Sequence, residues 1–190
     1  MATFFTADLH LFHRNIIDFC GRPFDNLEQM HDAIIQNWNL TVKEKDTTYL
    51  LGDSYIKCSP KQAVTILSKL NGHLVFLPGD HDLGLVEAVR LLGLKARLAQ
   101  WIEVVHPSKV TNGIDIPQIT LCHYPMRRWP KSHYGTWHLF GHVHGGMKSM
   151  NLGKSFDVGT DCHGFVPLSV KAVAGIMERL PDNENLIRKR

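Results

Sequence analysis

The sequence predicts a single α/β domain, and three observations carry that reading. The first half alternates short apolar or β-branched runs with segments whose apolar residues recur at helical spacing. The second half is mostly strand-like runs separated by turn residues. No internal repeat and no low-complexity linker divides the 190 residues, a length that suits one well-buried core.

Each element has a local reason. "TFFTA" (3–7) reads as a short buried strand. "NLEQMHDAIIQNW" places Leu27, Met30, Ile34 and Trp38 at helical spacing, with Asp25 or Asn26 as the cap. "TTYLLGD" (47–53) is an apolar β-rich run stopped by Gly52. "SPKQAVTILSKLNG" predicts a helix capped by Ser59 with Pro60 in its first position. Its face is Ala63, Ile66, Leu67 and Leu70, and it ends at Gly72. "HLVFLPGD" (73–80) is a further strand, and "GLVEAVRLLG" a short helix. Strand-like runs follow at 101–106, 116–122, 137–141, 155–158 and 168–173. The domain is expected to span 1–180, with 181–190 as a polar tail whose last residues, Arg188, Lys189 and Arg190, are solvated.

Composition narrows the setting. Hydrophobic residues make up 44% and charged residues 21%, an ordinary globular balance. A net charge of +3 is no nucleic-acid footprint by itself. The N-terminus lacks a basic region followed by a long apolar run, and no stretch has the length of a membrane span. The four cysteines, at 20, 58, 122 and 162, form no CxxC pair. A cytoplasmic protein with free thiols and no membrane partner is expected.

Histidine is over-used, with twelve in the chain. Polar clusters fall immediately after the expected strands: "ADLH" (7–10), "LGD" (51–53), "PGDHD" (78–82), "LCHYP" (121–125) and "FGHVH" (140–144). Sites gather outside strand ends, so five segments distant in sequence can converge. Asp8 and His10 are two apart, as are His142 and His144. In extended backbone such pairs face one side. Carboxylate oxygen with imidazole nitrogen suits manganese, iron, zinc, cobalt or nickel. Alternation turns Cys122 away from His123 and into the core. One such cluster alone is ordinarily a turn or a cap; the joint pattern is what points to metal.

Those residues resemble the calcineurin-like metallophosphoesterases. The family pattern is D-x-H, GD, GNH[DE], a strand-end His, then GHxH. Here it reads Asp8-Leu9-His10, Gly52-Asp53, Gly79-Asp80-His81-Asp82, His123 and Gly141-His142-Val143-His144. The flanking "ADLHLFHRNII", "CHYPMRRW", "WHLFGHVHG" and "DVGTDCHGFVPLSV" are similar to a compact bacterial and phage branch. The resemblance implies two mixed β-sheets packed face to face with helices on both outer sides, a four-layer α-β-β-α sandwich. It implies two divalent ions, manganese first. One would take Asp8, His10, Asp53 and His144; the other would take Asp53, Asp80, His123 and His142. Asp53 would bridge them. A hydroxide held between the ions would attack phosphorus. His81 would serve the leaving group, with Asp82 holding its tautomer.

His13, Arg14, Arg127 and Arg128 follow two of the clusters and are candidates for phosphate contacts, or else surface groups. Tyr124, Trp129 and Trp137 either wall a base-stacking pocket or belong to the core. Asp80 departs from the family's Asn and brings a two-ion site from about +1 to about neutral.

The expected function is hydrolysis of phosphate esters, most naturally small phosphodiesters or nucleotides. A nuclease or end-processing enzyme would use the same chemistry, but the charge supports a nucleic-acid partner only weakly. A metal-binding scaffold with weakened catalysis is the third reading, and Asp80 keeps it open.

Overall fold

Strands buried on both faces read as unbroken apolar runs, and here alternate side chains enter different cores. The computed structural model describes residues 1–106, 114–148, 150 and 152–187. The charged end Arg188–Arg190 lies outside the described residues. The strands are β1 (Thr3–Thr6), β2 (Thr47–Leu51), β3 (His73–Leu77), β4 (Ala96–Leu98), β5 (Ile102–Val105), β6 (Ile119–Cys122), β7 (Trp137–Phe140), β8 (Ser155–Asp157) and β9 (Leu168–Ser169). The helices are α1 (Arg14–Phe19), α2 (Leu27–Thr41), α3 (Pro60–Leu67), α4 (Leu85–Leu92) and α5 (Val170–Arg179).

Two mixed sheets result. The first has the order β4-β3-β2-β1-β9, parallel except for β9. The second has the order β5-β6-β7-β8, parallel except for β5. Phe4, Leu50, Leu74 and Phe76 face helices α1 to α4, where Ile17, Met30, Ile34, Trp38, Leu67 and Ala88 complete one core. Phe5, Tyr49, Leu51, Val75 and Leu77 share a second core with Ile119, Leu121, Trp137 and Leu139 of the other sheet. The sheets therefore pack face to face. Val170, Val173 and Met177 of α5 join this second core.

The outer side of the second sheet carries buried Thr120, Cys122, His138 and Phe140. His138 donates through Nδ1 to the Thr120 carbonyl (3.1 Å) and accepts from the Met126 amide at Nε2 (3.2 Å). Burial pushes its pKa down to about 4, so the ring is neutral and can do both. The Trp129 ring lies 5.4 Å from it. Trp137 is buried in the second core, whereas Trp129 is buried against a cavity of about 490 Å³ that it lines with Met126 and Met147.

Local expectations meet three corrections. Residues 168–173 were expected as a strand, but only Leu168–Ser169 pair with β1, and Val170 begins α5. Ser169 accepts from the Ala172 amide and caps the helix, while Val170, Val173 and Met177 supply a helical stripe. Helix α3 ends at Leu67, short of Gly72. The tail expected from residue 181 is docked as far as Ile187. Buried Asn183 donates to the Ser132 and Thr136 carbonyls (2.8 and 3.0 Å) and accepts from the Lys154 amide (2.7 Å). The Ile187 amide donates to the His133 carbonyl. Helix α1 and strand β4 had no clear sequence signal, being short and, in β4, mostly exposed. Between the two candidate caps of α2, Asn26 accepts from the Gln29 amide (2.9 Å).

No helix of the described residues is long and apolar enough to cross a membrane. Asn183→Ala should remove three hydrogen bonds at once and leave the Lys154 amide without its acceptor, while the Ser132 and Thr136 carbonyls keep the Gly135 amide and the Trp129 indole. The expected loss is about 2 kcal/mol, read as a lowered urea midpoint at unchanged slope.

Candidate metal centre

The polar clusters sit where parallel strands end. Asp8 and His10 follow β1, Asp53 follows β2, and Asp80 to Asp82 follow β3. His123 follows β6, and His142 and His144 follow β7. The loops after β1 and β2 are laced together by backbone bonds: Asp8 to the Gly52 carbonyl (3.1 Å), His10 to that of Asp53 (3.0 Å) and Leu11 to that of Ser54 (3.0 Å).

The reason given by extended-strand alternation does not hold. Asp8, His10, Asp53, His142 and His144 all have positive φ, from 45° to 71°. Such backbone is uncommon for residues other than glycine and costs of order 1 kcal/mol each. The side chains converge because each loop coils tightly off its strand. Glycine makes the approach possible at two points. A Cβ on Gly141 would lie 2.5 Å from the Ala7 Cβ and 2.6 Å from Asp8 Oδ2. A Cβ on Gly52, whose φ is +85°, would overlap the His123 ring.

Among the described residues, four groups of potential ligand atoms lie within 4.8 Å of one another: Asp8, His10 and His144; Asp80, His123 and His142; Asp8, Asp53 and His123; and, to one side, Cys20, His144 and Asp161. Asp53 stands between them, its Oδ2 3.5 Å from His10 Nε2 and its Oδ1 3.6 Å from His123 Nε2. His142 Nδ1 lies 3.3 Å from Asp80 Oδ2. All seven expected ligands are therefore brought together, with His81 Nε2 3.9 Å from Asp53 Oδ2.

The cluster buries a carboxylate beside a neutral imidazole. Burial, followed by the carboxylates of Asp157 and Asp53, holds Asp8 well above the usual carboxylate range. The His142 amide, which donates to its two oxygens at 2.9 and 3.1 Å, pulls the other way. Burial, then the charge of His144 and Arg22, pushes His10 down to about 2, so its ring is neutral and its contact with Asp53 is no ion pair. His10 Nε2 and His123 Nε2 are buried and have no hydrogen-bond partner among the described residues. The other nitrogen of each ring is engaged. His123 Nδ1 donates to the Leu51 carbonyl (2.8 Å), and His10 Nδ1 lies 3.3 Å from His13 Nδ1. His144 Nδ1 donates to Asp161 (2.7 Å). Such a ring presents Nε2 as a lone pair, the form that binds a metal ion. Buried lone pairs facing carboxylates fit divalent cations.

Several residues around the centre differ from expectation. Asp82 does not steer the His81 ring. Its carboxylate accepts from the amides of Asp53 (2.9 Å), Ser54 (2.8 Å) and Gly79 (2.9 Å), tying the loops after β2 and β3 together. Burial pushes Asp82 up to about 6, against the pull of those three donors. Asp80 accepts from the Tyr124 hydroxyl. That bond holds Asp80 below its ordinary pKa and pushes Tyr124 up to about 12. Arg14 is paired with Asp18 (3.2 Å) and Arg127 with Glu184 (3.0 Å), all exposed. Arg128 is exposed as well. His13 is buried against His10, a support for that ring rather than an open phosphate contact.

Sequence reasoning missed Arg22, Asp157 and Asp161. The Arg22 side chain is fully buried. It donates to both Asp161 oxygens (2.8 and 2.9 Å) and to the carbonyls of Asp8 (2.8 Å) and Leu9 (2.9 Å). Burial alone would raise Asp161, but His144 and Arg22 hold it below its usual value. Asp157 accepts from the amides of Gly145 (2.8 Å) and Gly159 (2.6 Å). It ends β8, so the same strand-end rule would have found it; Arg22 carried no comparable signal.

Arg22→Met should leave the buried Asp161 carboxylate without its cation and with the His144 ring as its remaining partner. The expected cost is about 3–5 kcal/mol in chemical denaturation. Adding Asp161→Asn should recover part of it, and strict additivity of the two changes would refute the coupling.

No family model matches the chain. It is 31% identical over 179 residues to the uncharacterized protein MJ1445 of Methanocaldococcus jannaschii, covering 91% of this chain and 89% of that protein. The crystal structure of AQ665, a protein of unknown function from Aquifex aeolicus, has the same fold, with a TM-score of 0.68 over 92% of this chain and 98% of AQ665 at 21% identity. Identity of 31% sustained along nearly all of both proteins places the chain in one family with MJ1445.

Proposed function

We propose that the protein is a dinuclear-metal-dependent phosphoesterase of the calcineurin-like type. One observation carries the reading: seven Asp and His side chains from five strand ends meet where the Nε2 atoms of His10 and His123 are buried with no hydrogen-bond partner among the described residues. The two mixed sheets, face to face with helices packed outside the first, are in keeping with that family's four-layer sandwich.

One ion would be held by Asp8, His10, Asp53 and His144, and the other by Asp53, Asp80, His123 and His142, with manganese the first candidate. Bound there, divalent ions supply Lewis acidity and a nucleophile at neutral pH. The chain's own residues supply the rest. Asp80, His81 and His142 side chains are 42%, 43% and 41% exposed, so the ester approaches from their side. His81 donates its backbone N–H to Asp53 Oδ1 (3.0 Å), which fixes its loop. Its ring is left accessible to deliver a proton to the leaving oxygen. Asp82 acts through the backbone, holding Asp53 in register with the His81 loop. The hydroxyl of Tyr124 keeps Asp80 ionised, so its extra charge is retained as a ligand.

The test is hydrolysis of bis-p-nitrophenyl phosphate against p-nitrophenyl phosphate with each divalent metal in turn. Metal-dependent cleavage of the diester is expected. His81→Ala should lower kcat by about 10²–10³-fold while metal content stays unchanged. Two bound equivalents of metal with no turnover of either ester would sink the enzymatic reading and favour a scaffold.

Asp80→Asn should weaken metal binding and raise kcat with an anionic ester, since it removes one negative charge from the site. Unchanged metal affinity and rate would show that the charge does not matter.

The raised pKa of Asp8 sets a pH dependence. The metal-free fold holds the Asp8 proton more tightly than the unfolded chain does, so this contribution to stability is present at low pH. It is lost as pH rises through the raised pKa. Metal takes the place of that proton. The gap in Tm between manganese-loaded and metal-free protein should therefore widen as pH rises through the raised pKa of Asp8, as read by thermal melts.

A further inference from the structure

Beside the metal centre lies a cavity of about 430 Å³ whose wall includes Asp80 and His81. It therefore opens directly on the candidate ligands, from the side of the proton donor. That volume falls within the usual range of ligand sites and exceeds what a single phosphate fills. The remaining wall comes from the loop after β2 and the start of α3, including Lys57, Ser59 and Gln62, with Leu83 beside His81.

The wall is fixed. Leu11 and Tyr55 form a bridge, and the Ile56 amide donates to the Leu11 carbonyl (3.0 Å), immediately before Lys57. The Tyr55 hydroxyl donates to the Leu83 carbonyl (3.0 Å). Ser59 and Gln62 form a capping box in which Gln62 Oε1 accepts from the Ser59 amide and hydroxyl (3.0 and 2.9 Å). Two sets of donors are left over. The Gln62 amide nitrogen and the Lys57 ammonium have no hydrogen-bond or ion-pair partner among the described residues.

An exposed lysine is ordinarily just solvated. Lys57 differs in its backbone. Its φ is +58°, a conformation it shares with five of the proposed metal ligands. Strain of this kind is kept where surrounding structure over-determines a position, and such positions cluster at functional sites. Here it sets a cation at the rim of a cavity that begins at the leaving-group donor.

We propose that the cavity receives the leaving group of the ester and that Lys57 binds a second phosphate on that group. The substrate class is then a phosphodiester whose leaving group is itself phosphorylated. This rests on the phosphoesterase reading of the centre. The leaving-group side follows from His81, which lines the cavity and faces the centre. The second phosphate follows from two unpaired donors on a fixed wall and from an ammonium, which takes phosphate as a point charge.

The test is a calorimetric titration of manganese-loaded protein with adenosine 3′,5′-bisphosphate and with adenosine 5′-monophosphate. The bisphosphate should bind about tenfold more tightly. Lys57→Ala should abolish that preference, and Lys57→Arg, which keeps the charge, should retain it. Equal binding by the wild type, or a preference that survives Lys57→Ala, overturns the assignment. The same wild-type preparation is assayed on bis-p-nitrophenyl phosphate. Turnover without a bisphosphate preference overturns the role of Lys57 alone. A preference without turnover overturns the leaving-group assignment together with the phosphoesterase reading.

Discussion

Asp8 is a carboxylate with no exposed surface, close to the carboxylates of Asp157, Asp53 and Asp161 and to the imidazoles of His10, His123 and His144. Burying it would be unfavourable in an apolar interior, because a charge taken out of water needs compensation. Much of the surrounding structure answers that need. The His142 amide donates to it, Gly141 leaves room for it, and Arg22 grips the carbonyls of Asp8 and Leu9 behind it. What protein groups leave undone is the positive charge in front, where the neutral rings of His10 and His123 present lone pairs rather than protons.

The compensation is organised in two rings. The inner ring is the set of side chains that converge on Asp53. The outer ring ties loops to one another. Asp82 gathers three amides from the loops after β2 and β3, and Asp157 gathers two from the loops after β7 and β8. Arg22 and Asp161 join the loop after β1 to the one after β8. A carboxylate that accepts several backbone N–H groups is a stiff clamp, because each bond constrains main chain rather than a mobile side chain. These clamps hold the left-handed backbone of the ligand loops, which would relax to ordinary conformations if released.

The two cores explain why the loops meet at all. Successive residues of β2 and β3 point alternately to the helices and to the second sheet. That alternation locks both sheets in register and brings the ends of β1, β2 and β3 against those of β6 and β7. The bridge between Ala7 and Gly159 fastens the two sets of strand ends directly.

Most of this was legible in the chain. Apolar runs and caps located β1, α2, β2, α3, β3 and α4, because burial and hydrogen-bond satisfaction act locally there. The strand-end clusters located all seven candidate ligands. Short elements escaped: α1, β4 and the turn from β9 into α5 have too few residues to display a period. Extended-chain alternation placed the ligand pairs on one side for a reason the backbone does not obey, since left-handed φ values at Asp8, His10, His142 and His144 are fixed by neighbouring loops. Asp82 looked like a partner of the histidine beside it in sequence. Its actual partners are amides whose nearness depends on how β2 and β3 pair. The sequence determined which residues are candidates for the site, because donor type and local capping are properties of the residues themselves. Only the tertiary structure decided which of them touch, because contacts between loops 139 residues apart, such as Arg22 with Asp161, depend on sheet packing that no local pattern records.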